Sequence, residues 1–245
     1  MLNEIKSKYI MNKIFNNMKK ILKLKLLKLN KKLKKKLNIN LKDYSQYKKL
    51  KELNKKLNIN IEDINISILY LNRRNIGNNE LLYLCNVEFS ELEIIEISEN
   101  ELTNLDNLEN IKLEKIKKLN FCDNYILNIN IFEKLNLKEL KELDLSNNKI
   151  SDIKVFENIN FGKLEKLFLG GNYISDITGL KYVNLLELKQ LDLSENKIYD
   201  IKILIDIKFN KLRILNLMGN KIDENIITYS LDMMKLKSRL KYFYI

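Results

Sequence analysis

Six asparagines stand 24 residues apart: Asn100, Asn124, Asn148, Asn172, Asn196 and Asn220. Each sits in the same frame. Eight residues upstream are Leu92, Ile116, Leu140, Leu164, Leu188 and Leu212. Five upstream are Ile95, Leu119, Leu143, Leu167, Leu191 and Leu215, and three upstream are Ile97, Phe121, Leu145, Leu169, Leu193 and Leu217. Two downstream are Leu102, Ile126, Ile150, Ile174, Ile198 and Ile222. A fixed period of this length means a stack of similar supersecondary units, because one unit cannot bury its apolar face alone. The alternation just before each Asn has the period of a strand with both apolar residues inward. Later apolar positions spaced by three, such as Ile153, Phe156 and Ile159, suit a short helix or 3-10 turn packed back on that strand. The recurring Asn is read as structural, its amide bonding backbone groups of its own and the adjacent coil.

The frame L-x-x-L-x-L-x-x-N-x-I resembles the leucine-rich-repeat family over roughly residues 66–245. The resemblance implies an α/β solenoid: curved, with short parallel strands on a concave face, short helices or 3-10 turns on a convex face, and helical caps. The expected layout is a Lys-rich helical arm or cap at 1–60, one degenerate and six regular repeats at 61–222, and a C-terminal cap at 223–245. Ile66, Leu69, Leu71 and Ile76 fit the degenerate first repeat, with Arg74 where Asn is expected. Cys85 lies in an off-register link and reads as a small core residue. Beyond Asn220, Ile226, Ile227, Tyr229, Leu231, Met234 and Leu236 suggest a helix around 224–236, and Leu240 and Tyr242 a closing strand. That ending is similar to the subclass containing the spliceosomal A-prime protein and the protein phosphatase 1 regulatory subunit, although its usual Pro residues and final Asp are absent.

Charge divides the chain. Residues 1–60 carry 19 Lys against three acidic residues, a net +16 in a chain of net +12, so residues 61–245 are net −4. The chain has no Pro, His or Trp and is rich in Lys, Asn, Ile and Leu, a pattern that biased base composition also produces. Leu22, Leu26, Leu29, Leu33 and Leu37 form one stripe on a helix, and Leu41, Tyr44, Tyr47, Leu50, Leu53 and Leu57 suggest a second amphipathic helix. Three readings of the arm stay open: a helical extension capping the first repeat, a solvated Lys-rich tail, or a contact with nucleic acid or an anionic membrane. Without Arg the arm suits phosphate neutralisation better than base readout.

The lack of His excludes Cys–His and Ser–His catalytic pairs and Cys/His metal sites, and the two cysteines, Cys85 and Cys122, make no disulfide framework. The chain contains no run of 18 apolar residues and no signal-peptide pattern, so a cytoplasmic or nuclear location is expected. No catalytic residue, metal, cofactor or small-molecule substrate is expected, and the chain reads as a monomer.

A partner would meet the outward strand positions on the concave face. Four residues before each Asn stand Glu96, Asn120, Asp144, Phe168, Asp192 and Asn216. Six before stand Ile94, Lys118, Glu142, Lys166, Gln190 and Ile214, and two before, Ser98, Cys122, Ser146, Gly170, Ser194 and Met218. Six strands at about 4.8 Å spacing give a face roughly 24 Å across, the size of a protein domain or helix. Phe168 is read as an exposed aromatic hot spot between Asp144 and Asp192. The strand-face carboxylates Glu96, Asp144 and Asp192 are expected to be exposed, with nothing to shift their pKa values. The resemblance implies a scaffold or regulatory subunit, a phosphatase regulator among the candidates. The alternative is a nucleic-acid-associated protein acting through its basic arm.

Overall fold

A computed structural model describes residues 41–223 and 231–245. Helix α1 (Leu41–Leu57) is followed by strand β1 (Ile68–Tyr70) and helix α2 (Asn78–Cys85). Strands β2 (Ile94–Glu96), β3 (Lys118–Asn120), β4 (Glu142–Asp144), β5 (Lys166–Phe168) and β6 (Gln190–Asp192) then recur with 3-10 turns between them. Helix α3 (Ile203–Asp206), β7 (Ile214–Asn216), α4 (Leu231–Arg239) and β8 (Tyr242–Tyr244) complete the chain. The eight strands form one parallel sheet in sequence order.

Each strand is one inward apolar residue between two outward ones. Leu119, Leu143, Leu167, Leu191 and Leu215 are fully buried and lie side by side in register. Behind them a single core runs through the stack, filled by the later apolar positions, including Phe132, Phe156 and Phe161. The Phe156 and Phe161 rings meet edge to face at 5.4 Å. The 3-10 turns have a polar row of their own: Asn128, Asp152, Asp176 and Asp200 each accept the backbone N–H two residues on, at 2.7–2.9 Å. These turns pack closely. A Cβ on Gly179 would lie 2.5 Å from the Ile153 carbonyl oxygen and 2.9 Å from Lys154 Cα.

The asparagine ladder points backward along the stack. Asn148 donates to the carbonyls of Leu145 in its own coil and Phe121 in the one before, and accepts the Ile126 N–H. Asn124, Asn172, Asn196 and Asn220 repeat this pattern, and Asn100 does the same toward Leu71 and Ile76. Because each amide serves the coil before it, the first described coil has no preceding coil to serve. That explains why Arg74 can stand at the ladder position. The residue just before each ladder position is left-handed: Arg73, Glu99, Asp123, Asn147, Gly171, Glu195 and Gly219 have φ of 51° to 69°. The tight exit from the strand demands that conformation, which only Gly adopts without steric cost.

The two ends depart from the 24-residue period. Ile68 pairs with Ile94, 26 residues on, and Ile214 with Tyr242, 28 on. The extra residues lie off the sheet. In the first coil they accommodate the eight-residue helix α2, where the next four coils have 3-10 turns and the coil after them only the four-residue α3, so the off-register link is helical and Cys85 is buried in it. Leu50, Leu53 and Leu57 of α1 are buried against this end, and Gln46, also buried, accepts the Glu88 N–H at 2.9 Å. The Leu22–Leu37 stripe lies outside the described residues, as do Ile226, Ile227 and Tyr229. The C-terminal helix ends at Arg239, not near 236; among its described side chains Met233 is buried, and Met234, expected to be apolar contact, is half exposed. In β8 the inward residue is Phe243, with Tyr242 and Tyr244 outward and stacked at 6.2 Å. Among the described residues no helix is long and apolar enough to cross a membrane.

Candidate functional site

The strand face carries three rows of outward side chains, and register fixes who neighbours whom. In the outer row Lys118 Nζ bridges Glu96 (2.9 Å) and Glu142 (3.1 Å), and Glu142 also pairs with Lys166 (3.0 Å). The four form one chain of alternating charge with no net charge. Burial opposes the Lys118 charge, yet the two flanking carboxylates hold its ammonium protonated well above the usual lysine range. Burial likewise opposes the Glu142 charge, and Lys166 with Lys118 outweighs it, keeping that carboxyl below the usual glutamate range. Shared between two partners, this chain is better organised than the exposed Glu–Lys pairs beside it, such as Glu91–Lys115 and Glu139–Lys163, which solvent screens.

The central row has a structural task that its sequence did not reveal. Asn120 Oδ1 accepts the Cys122 N–H (2.9 Å), Asp144 Oδ1 the Ser146 N–H (3.0 Å), Asp192 Oδ1 the Ser194 N–H (2.9 Å) and Asn216 Oδ1 the Met218 N–H (3.2 Å). A short side chain with an acceptor turns the chain out of each strand. Two positions break the row. At Glu96 the task passes to Asn72, whose Oδ1 takes the Ser98 N–H at 2.9 Å. At Phe168 the side chain has no acceptor to offer Gly170. The next coil closes in there: a Cβ on Gly170 would sit 2.9 Å from Ser194 Oγ and 3.1 Å from Asp192 Oδ1. Phe168 and Gly170 are thus paired departures in one coil.

Several expectations are corrected by this geometry. Phe168 is half-buried, not exposed, because Asp144 and Asp192 flank it in register on both sides. The carboxylates are not freely solvated either. Burial pushes the Asp144 carboxyl above the usual aspartate range, against the pull of its hydrogen bonds to Ser146. In the inner row Ser98 and Gly170 are buried, leaving Met218 as its exposed member. Cys122 is half-buried, and burial, with Asp144 nearby, pushes its thiol up to about 12, as burial does for Cys85. Neither is a ready thiolate at neutral pH.

Residues outside the six-repeat reading also reach this face. Ile68 and Tyr70 of β1 extend the outer and central rows at one end, and Tyr242 and Tyr244 of β8 extend them at the other; all four are exposed. Carrying the frame one coil upstream of Asn100, past its two-residue insertion, would have found Tyr70. The closing strand expected at Leu240 and Tyr242 lies at Tyr242–Tyr244, and its 28-residue spacing gave no sign of which of its residues face outward. The sheet surface is therefore apolar and aromatic at its ends and charged at its centre.

Residues 138–182, spanning β4 and β5 with the turns that follow them, match the family model described as Leucine Rich repeats (2 copies). No curated protein matches the sequence. Among solved structures the chain is similar to internalin C2 from Listeria monocytogenes, at 22% identity and a TM-score of 0.58, over 79% of this chain and 90% of that one. It is also similar to a TDR receptor, at 22% identity and a TM-score of 0.51, over 67% of this chain but only 27% of the receptor. At such identities the likeness is one of fold. By its repeat, its parallel sheet and these neighbours, the chain has the fold of a leucine-rich-repeat solenoid.

Proposed function

We propose that this protein binds a protein partner on its strand face, as a scaffold or regulatory subunit, with Phe168 at the centre of the contact. One observation carries the reading. Four coils spend the central position on an Asn or Asp that accepts a strand-exit N–H, and the β5 coil gives up that acceptor for an aromatic ring. A half-buried aromatic with charged and polar neighbours is the side-chain type enriched at binding hot spots. Glu96, Lys118, Glu142 and Lys166 form the charged flank of the contact, Asn120, Asp144, Asp192 and Asn216 its central row, and Met218 its far edge. The narrower reading, a regulator of a phosphatase, is supported by the Asp144–Phe168–Asp192 alternation and by the closing helix and strand after Asn220. The test is capture from native lysate with Phe168→Ala and Asp192→Lys beside the parent chain. Both variants should lose the partner while melting at the parental temperature, and full retention of the partner by both would refute the reading.

A second reading rests on a different observation, the gathering of 19 Lys in residues 1–60. A segment so charged neutralises phosphates without sequence preference. In this reading the chain binds RNA or DNA through its basic arm, and affinity falls steeply with added salt. Equal binding by full-length and 1–40-deleted chains would rule it out.

A further inference from the structure

We infer that the centre of the strand face receives a cationic side chain, arginine or lysine, from a polypeptide partner, seated on the Phe168 ring between Asp144 and Asp192. This deepens the docking reading above and rests on it. The first support is an imbalance of charge. Glu96, Lys118, Glu142 and Lys166 satisfy one another, two charges of each sign in one chain of contacts. Asp144 and Asp192 are left over. Among the described residues no Lys or Arg lies within ion-pair distance of either, and Lys166, the nearest cation in sequence to Phe168, is engaged by Glu142. The face therefore presents two carboxylates without an ion-pair contact, one on either side of an aromatic ring.

Position is the second support. Register places Asp144, Phe168 and Asp192 on three adjacent strands, so the two carboxylates stand roughly 10 Å apart at the backbone with the ring between them. A cation over the ring is attracted to its face, and a planar guanidinium also matches carboxylate oxygens. Both carboxylates are already oriented. Asp144 Oδ1 is held by the Ser146 N–H at 3.0 Å, and Asp192 Oδ1 by the Ser194 N–H at 2.9 Å and its hydroxyl at 2.6 Å. Asp192 Oδ2 takes only a long bond, 3.3 Å, from Asn216 Nδ2. A guest cation thus meets acceptors that lose little freedom on binding. Asp144 is partly buried, and Lys118, the cation that acts on it, is held in ion pairs by Glu96 and Glu142, so a bound cation relieves the burial of its charge.

The repeat supplies its own control. Asn occupies the same position at 120 and 216 and makes the same bond to the backbone. Asp144→Asn with Asp192→Asn therefore removes charge while retaining the strand exits. The experiment selects a random 12-residue peptide display library on the immobilised full chain, then measures the enriched peptides by fluorescence anisotropy. Binding is compared for the parent, Phe168→Ala and the double Asn variant, with equal melting temperatures as the check on folding. The expected result is a shared Arg or Lys whose replacement by citrulline or norleucine weakens parental binding at least tenfold. The double Asn variant should lose a similar factor and be indifferent to that replacement. Peptides lost with Phe168→Ala yet insensitive to their own charge overturn the cation inference and leave the docking face standing. Peptides that bind all three chains equally, or no enrichment at all, overturn both.

Discussion

Of the rows of short polar side chains along this molecule, one lies inside it and another on its strand face. The inner ladder, buried from Asn100 to Asn196 and half-buried at Asn220, is the same residue six times over, because each amide must both donate to two carbonyls and accept one N–H. Only Asn is short enough and carries both groups. The strand-face row asks only for an acceptor near one N–H, and Asn or Asp both serve. It also lies where a neighbouring coil can take over, as Asn72 does for Ser98. The looser demand leaves room for Glu96 and Phe168. Repetition marks what stacking requires, and the breaks in it mark what stacking does not explain.

The sharpest way to break this comparison is to substitute in the ladder. Asn148→Ala leaves the Ile126 N–H without an acceptor inside the core, while the Phe121 and Leu145 carbonyls each lose one donor and keep the Asn124 and Asn172 amides; one orphaned donor and two lost bonds should cost about 3 kcal/mol in urea unfolding. A loss below about 1 kcal/mol would show that the ladder is not the staple described here. Next in size is Gly179→Ala. Its added methyl meets fixed backbone of Ile153 and Lys154, so a loss of about 1–3 kcal/mol is expected from the same measurement. Asn120→Ala, the surface counterpart of Asn148→Ala, should cost only about 1 kcal/mol, because the freed Cys122 N–H is half-buried and can find water. Equal losses at 120 and 148 would abolish the distinction between the rows.

Two finer effects concern the site itself. Phe168→Asn restores the acceptor that its coil lacks while removing a half-buried ring. The two changes offset each other, and stability should move by less than about 1 kcal/mol while peptide or partner binding falls at least tenfold. A large destabilisation with binding intact would return Phe168 to the core. The smallest effect belongs to Asp144→Asn. Folding raises the Asp144 pKa, so this group favours the folded state most below the unfolded aspartate value, and that contribution is lost as pH rises through its folded value. At neutral pH the Asn variant should therefore be slightly the more stable chain, within about 0.5 kcal/mol. The advantage should vanish in melts taken below the ordinary aspartate range. Glu142 acts in the opposite sense: its lowered pKa gives stability present at neutral pH and lost as pH falls through the folded value.

The period of Asn100 to Asn220 and the apolar positions around it were enough to place every strand from β2 to β7, since a 24-residue offset sets the register of each pair. The same arithmetic placed the outward rows and brought Phe168 beside Asp144 and Asp192. It could not show how those side chains divide their work. Only the folded stack ties Lys118 to carboxylates on the strands either side or brings Asn72 Oδ1 onto the Ser98 N–H, because those contacts join groups 22 to 26 residues apart in the chain. Tertiary packing likewise chose Met233 over Met234 and Phe243 over Tyr242 at the C-terminal end, where the period lapses and spacing no longer says which face is inward. Local pattern determines a fold built from identical turns; the neighbours that each turn acquires decide which of its surface residues remain available to bind.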